Sequence, residues 1–524
     1  MTTFRFLFAC LALAVGLFSS CATDSHEKRI EIATLRDKIR GGWAGQMIGV
    51  SFGAPTEFRS LQTIIEGPLP EWSAQRLRNS LNQDDLYVDM TFAQVLDDRG
   101  LDASTLDFGT MFRDARYQLW HANLAARRAL KRGASPLESG TPKYNAHAND
   151  IDFQIEADFV GLMAPGLPKS SNEICYRAGR VMNHGDGILG GMFVSAMYAE
   201  AFFESDPVKL VEAGLAALPS DSEYARTIAD VLRWHAENPK DWKWNWQQIQ
   251  DKWDRDEPCP AGALRPFNID AKLNGAYIAL GMLYGEGDMG KTLDISTRAG
   301  QDSDCNPASA AGVLGVVMGY EAIPSEWKNG IDEIANEKFA FTNYSLNSIV
   351  ESTEKRAIGL VESKGGRRDG DVLVVKTEAP TPMPIPLWND YGKPAERISV
   401  ADPRWRWTGT WTDAGYSEEP SSRKAAEKSG MEAQIDFEGS GVLLVGPYLD
   451  QREAGMAEIY LDGKLVATVD VSSDEDREKG SESVYHDFRL SPGKHTLRVA
   501  VLGKPYGASK GTRIVLRDLV VFRK

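Results

Sequence analysis

Residues 299–315 read AGQDSDCNPASAAGVLG, and their reading decides the fold of the first part of the chain. Asp302 and Asp304 stand one residue apart, directly before a run of small and apolar residues that predicts a buried helix. An Asp-x-Asp pair at a helix mouth can aim two carboxylates at one point, where their repulsion invites a hard divalent cation with oxygen ligands. The plainer reading is that one aspartate caps the helix. A second acidic cluster lies upstream, Asn82-Gln83-Asp84-Asp85, followed by Asp89 in the amphipathic run 86–96. Adjacent carboxylates also suit a helix start through the dipole. Two such clusters in one helical domain, however, would supply the four or five carboxylates that one or two magnesium-like ions need.

Working outward, the pattern from Thr34 to about Val361 is helical. Ile39, Trp43, Met47 and Val50 recur at helical spacing, and Gly41, Gly45, Gly49 and Gly53 fall four apart. Glycines at that interval weaken a helix, so the stripe predicts close approach of a second helix. Further helical stretches are 111–131, 188–203, 207–218, 222–237, 271–284 and 308–318. No series of alternating strands interrupts them, so residues 30–361 are expected to form an all-α domain. Trp234, Trp242, Trp244, Trp246 and Trp253 read as packing of a short helix-loop-helix, with a sugar-lined groove as the alternative.

The pattern then breaks. Gly365-Gly366-Arg367-Arg368 and the prolines 380, 382, 384 and 386 predict an extended linker over 362–395. Beyond it the period changes to two, and Leu461-Asp462-Gly463-Lys464 is a hairpin signal. Residues 396–524 are expected to form a β-sandwich accessory domain of lectin or carbohydrate-binding type. Its Trp405, Trp407 and Trp411 suit either core packing or sugar stacking.

At 524 residues the chain exceeds one core. A net charge of -15 excludes nucleic acid as a partner, since phosphate backbones demand basic surface. Residues 1–21 predict an export signal: Arg5, an apolar run too short to span a bilayer, and Leu17-Phe18-Ser19-Ser20-Cys21, which resembles a bacterial lipobox. Cys21 is then the lipidation site of an outer-membrane lipoprotein, periplasmic or surface-facing, touching the membrane only through its anchor. An ordinary cleaved signal peptide is the alternative. Cys175, Cys259 and Cys305 make no disulfide framework and no zinc spacing.

Two more features complete the pattern: Gly45-Gln46-Met47-Ile48-Gly49 with Glu57 shortly after, and Asn183-His184-Gly185-Asp186-Gly187. Together these blocks resemble the ADP-ribosylglycohydrolase family over roughly 35–320. Gly45, Gly49 and Glu57 match its opening pattern, Gln83-Asp84-Asp85-Leu86 its first metal motif, Asn183–Gly187 its central histidine block, and Asp302-Ser303-Asp304-Cys305 its closing motif. The resemblance implies a compact all-α fold with a binuclear Mg2+ or Mn2+ centre, ligated by Asp84, Asp85, Asp302 and Asp304, with Glu57 beside the metal or its water. It also brings His184 and Asn183 to the substrate. Gln46 replaces the family's first aspartate, and Gln83, Leu86 and Cys305 replace its threonines.

Such a site suits hydrolysis at an anomeric carbon, with Glu57 or Asp302 taking a proton from the attacking water. Asp186, Asp152 or Glu156 would supply the acid. Asp152 and Glu156 lie four apart, on one helical face, and suit contact with substrate hydroxyls or a solvated face alike. Export and the accessory domain favour a glycan or glycoside, such as a furanoside, as substrate. A true ADP-ribosyl hydrolase and a non-catalytic sugar-binding lipoprotein are the alternatives.

Overall fold

The computed structural model describes residues 27–255, 257–415, 422–475 and 477–524. The 1–21 segment with Cys21 lies outside them. No helix among the described residues is long and apolar enough to cross a membrane.

Helix Ile32–Gly53 packs along helix Cys305–Met318, and both are buried over most of their length. The glycine stripe sets their separation. A Cβ on Gly45 would lie 2.1 Å from the Ala311 carbonyl oxygen, and one on Gly49 2.1 Å from that of Pro307. Only hydrogen fits at those positions, so backbone meets backbone as the spacing predicted. Further helices, among them Asp84–Arg99, Asp186–Ala201 and Ala271–Gly285, surround this pair. The tryptophan-rich stretch is packing: Trp234, Trp246 and Trp253 are buried, and Trp246 donates Nε1–H to the Ala299 carbonyl at 2.9 Å.

The helical region carries one small sheet that the all-α expectation omits. Strand Glu27–Glu31 pairs antiparallel with Val372–Lys376, which pairs in turn with Arg367–Asp369. The expected linker is therefore ordered in its first part, because Leu373, Val374 and Val375 find apolar cover there. Farther on, Ile385 joins the helical core, with Met383 and Leu387 packed against it.

Beyond it stand three antiparallel sheets, the smallest joining Ile514–Leu516, Lys424–Ala426 and Thr412–Asp413. Five strands run in the order Lys464–Asp470, Met456–Leu461, Gly493–Val501, Glu432–Gly439, Arg406–Thr408. Four run Lys479–Asp487, Gly441–Tyr448, Asp518–Arg523, Lys393–Ser399. Val442, Leu444, Leu519 and Val521 meet Ala433, Ile435, Leu497 and Val499 in one core. The alternate residues Leu443, Val445, Val520 and Phe522 point the other way, onto Ala146 and Ala263 of the helical region. Strand Gly441–Tyr448 is thus buried on both faces. Trp405 is buried, and Trp407 and Trp411 pack against the same core.

Candidate active site

The close helix pair determines where the acidic residues go. At its end, a Cβ on Gly53 would lie 2.0 Å from the Ser303 carbonyl oxygen, and the hydroxyls of Thr56 and Ser303 are hydrogen-bonded at 2.9 Å. The chain after Thr56 is then tied to the Asp-x-Asp loop. Phe58 donates its N–H to the Gln301 carbonyl at 3.1 Å, and Gln301 donates its own to the Ser60 carbonyl at 2.8 Å. Glu57 is held over Asp302 and Asp304, its carboxylate oxygen within 4.8 Å of theirs.

Helix Asp84–Arg99 brings the second cluster from the other side. Asp85, Asp304 and Cys305 form a second group with ligand atoms within 4.8 Å of one another, and Asp304 belongs to both. Cys305 Sγ lies 3.5 Å from Asp85 Oδ2. Behind them Gln46, fully buried, donates to the Asp85 carbonyl at 3.3 Å and to Asp158 Oδ2 at 2.6 Å. It supports the cluster from below rather than joining it. Leu86, where the family motif has threonine, points into the core.

These groups open onto a cavity of about 360 Å³, lined among others by Glu57, Asp84, Tyr87, Trp120, His121, Asp152 and Asp302. Its floor is electrostatically strained. Burial lifts the Glu57 carboxyl to about 8, and the charges of Asp304 and Asp84 add to the shift. Burial lifts Asp304 to about 6 and holds Asp84 above its ordinary range. Asp85 and Asp302 are pushed well up by burial and then by Asp304. Asp85 Oδ1 and Asp302 Oδ1 are buried without a hydrogen-bond partner. Crowded carboxylates with orphaned oxygens fit a hard divalent cation, which would satisfy the oxygens and offset the repulsion. The Cys305 thiol is the one soft donor beside them.

A model of the ADP-ribosylglycohydrolase family matches residues 31–358. The chain belongs to that family. No curated protein matches it. Among solved structures, an "ADP-ribosylglycohydrolase-related protein complex" is 15% identical, with a TM-score of 0.42, covering 62% of this chain and 99% of that one. The chain is similar over 25% of its length to 33% of a family two carbohydrate esterase from Cellvibrio japonicus, at 10% identity and a TM-score of 0.18. It is also similar to carbohydrate-binding module CBM36 in complex with calcium and xylotriose, at 10% identity and a TM-score of 0.18, over 24% and 99%.

Not every expected site residue reaches the cavity. Asp152 does: its oxygens accept the N–H groups of Ala122 and Asn123 at 3.2 and 3.0 Å, and burial, then Asp150, lifts it to about 7. Glu156 is fully buried behind Asn123, whose Nδ2 donates to it at 2.5 Å, and burial pushes its carboxyl well up. The central histidine block stands elsewhere. Asn183 spends its amide on the Ala148 and Asp150 carbonyls and its oxygen on the Phe153 N–H, fixing that turn. His184 meets Trp388 and Tyr391 edge-on. Asp186 lines a different cavity, with Glu223, Arg226 and Lys272. None of these three is among the residues that line the cavity at Asp302; Asn183 holds a turn and Asp186 lines a separate hollow. Tyr87, Trp120 and His121 line the site without having been singled out, since single aromatic residues carry no spacing signal.

Proposed function

We propose that this protein is an exported, metal-dependent hydrolase of glycosidic bonds acting on an extracytoplasmic glycan or glycoside. Family membership supports the glycosidic-hydrolase class. The observation that carries the proposal is the convergence of Glu57, Asp302 and Asp304 with Asp85 and Cys305 on the floor of one cavity. Asp84, Asp85, Asp302 and Asp304 are the residues that would hold Mg2+ or Mn2+. Such an ion orients sugar hydroxyls and acidifies bound water. Glu57, tied over the Asp-x-Asp loop, is placed to take the proton of the attacking water. Asp152, the expected acid that lines the cavity, is placed to give one to the departing oxygen.

Export and an exported glycan rest on the lipobox-like segment at Cys21 and on the β-rich region. The second reading, hydrolysis of an ADP-ribosyl bond, is favoured by the family match itself. The test is the double variant Asp302→Asn, Asp304→Asn. Loss of hydrolysis with circular dichroism unchanged is expected; unchanged turnover would remove these residues from the chemistry.

A further inference from the structure

A second cluster lies in the seam between the helical region and the β-rich region. Its centre is the turn that carries His147 and Asp150. The His147 N–H donates to Asn145 Oδ1 at 2.9 Å, and the Asp150 N–H donates to the His147 carbonyl at 2.9 Å. This presents His147 Nδ1 to Asp150 Oδ2 at 2.8 Å, with His121 Nδ1 3.8 Å from the same oxygen. One ligand atom from each of His121, His147 and Asp150 lies within 4.8 Å of the others. From the β-rich region, Glu482 Oε2 stands 3.3 Å from the far nitrogen, His147 Nε2.

Burial here is nearly complete: His147 is 1% exposed, Asp150 0% and Glu257 5%. Yet Asp150 Oδ1, His147 Nε2 and Glu482 Oε2 have no hydrogen-bond partner. Of the nearby cations, Lys272 pairs with Asp270 at 2.6 Å and Lys479 with Glu475 at 2.8 Å, so neither makes an ion pair with Asp150. Buried carboxylates left short of positive charge and of hydrogen bonds are costly. A dication would supply the charge and, by coordination, a partner for the carboxylate oxygen.

We infer that His121, His147 and Asp150 form a site for a zinc-class divalent cation, separate from the oxygen-rich cluster at Asp302. Two imidazoles and a carboxylate are the donors that such ions select, and magnesium, which prefers oxygen, does not. Glu482, 3.3 Å from the second ring nitrogen of His147, stands where a carboxylate that orients a ligating histidine belongs. Three protein ligands leave a fourth position, and His121 also lines the cavity of the candidate active site. The site does not depend on the glycosidase reading.

The test uses the purified full chain, stripped with EDTA and returned to excess Mg2+, then titrated with Co2+ and with Zn2+. A single tight equivalent of Co2+ is expected, with the visible absorption of a nitrogen-ligated ion of low coordination number, displaced by Zn2+. His121→Gln and His147→Gln should each abolish the band, and Cys305→Ser should keep it. Glu482→Gln, one domain away, should weaken binding by about 10–100-fold. Because a seam variant can misfold, the wild-type titration decides on its own. No Co2+ held against Mg2+, or a band that survives both histidine substitutions, would overturn the site and leave His147 in a plain buried ion pair.

Discussion

Asp304 belongs to both carboxylate groups of the candidate active site, and its neighbours explain why the cluster needs outside charge. Lower in the same core, Asp158 faces the same problem without that remedy. Burial pushes its carboxyl to about 8, against the opposing Tyr198 hydrogen bond, and Gln46 donates to it. The folded state therefore keeps a proton that the unfolded chain loses above about 4, so this group's contribution falls as pH rises from about 4 to 8. Asp158→Asn is expected to lose less stability than wild type between pH 5 and pH 8 in urea unfolding with Mg2+ present. An equal loss in both proteins would remove Asp158 as the cause. The four aspartates and Glu57 were legible in the sequence because they sit in short local motifs. Asn183, His184 and Asp186 have the same look, yet the fold sets them outside the lining of the cavity at Asp302. Nothing local tells which of two such motifs folds onto a given cavity.

At the scale of elements, the glycine stripe of Ile32–Gly53 was legible because each glycine weakens the helix and needs a compensating contact. Gly45→Ala should cost about 1–3 kcal/mol through overpacking against Ala311. Gly67→Ala, where an added Cβ meets nothing within 4 Å, should cost less than about 0.5 kcal/mol. Urea midpoints compare the two, and equal values would contradict the close-packing account. The uninterrupted apolar run of 441–448 was also legible as a strand, though its second covered face was not: burial by another domain leaves no mark on the strand itself. Strand Val372–Lys376 was lost inside a linker because its partner, Glu27–Glu31, lies at the far end of the chain.

At the scale of the molecule, the β-rich region is fastened to the wall of the candidate site. Arg132 pairs with Asp470 at 2.8 Å and with Asp474 at 3.0 Å, Arg128 with Asp470 at 3.0 Å, and Arg127 with Glu475 at 2.7 Å. Lys479 donates to the Leu119 carbonyl at 2.8 Å and lies 4.6 Å from the Trp120 ring centre. Burial resists ionisation of Asp470, but Arg132 and Arg128 outweigh it and hold the carboxyl far below its ordinary range. Its stabilising share is therefore present above about pH 4 and fades as pH falls below that. Asp470→Ala, which takes the carboxylate from Arg128 and leaves Arg132 only Asp474, should cost about 3–5 kcal/mol. Calorimetry should show one transition in wild type and two in the variant. Two transitions in wild type would mean that the domains are independent.

The central claim is hydrolysis of a glycosidic bond that depends on a divalent ion held by the Asp302 cluster. It is tested by release from a panel of aryl furanosides, aryl pyranosides and ADP-ribosyl peptides, with Mg2+ or Mn2+ and then with EDTA. Release that requires the ion and stops with EDTA is predicted, and the substrate that responds separates the glycan reading from the ADP-ribosyl one. Release that continues at the same rate in EDTA would contradict the account.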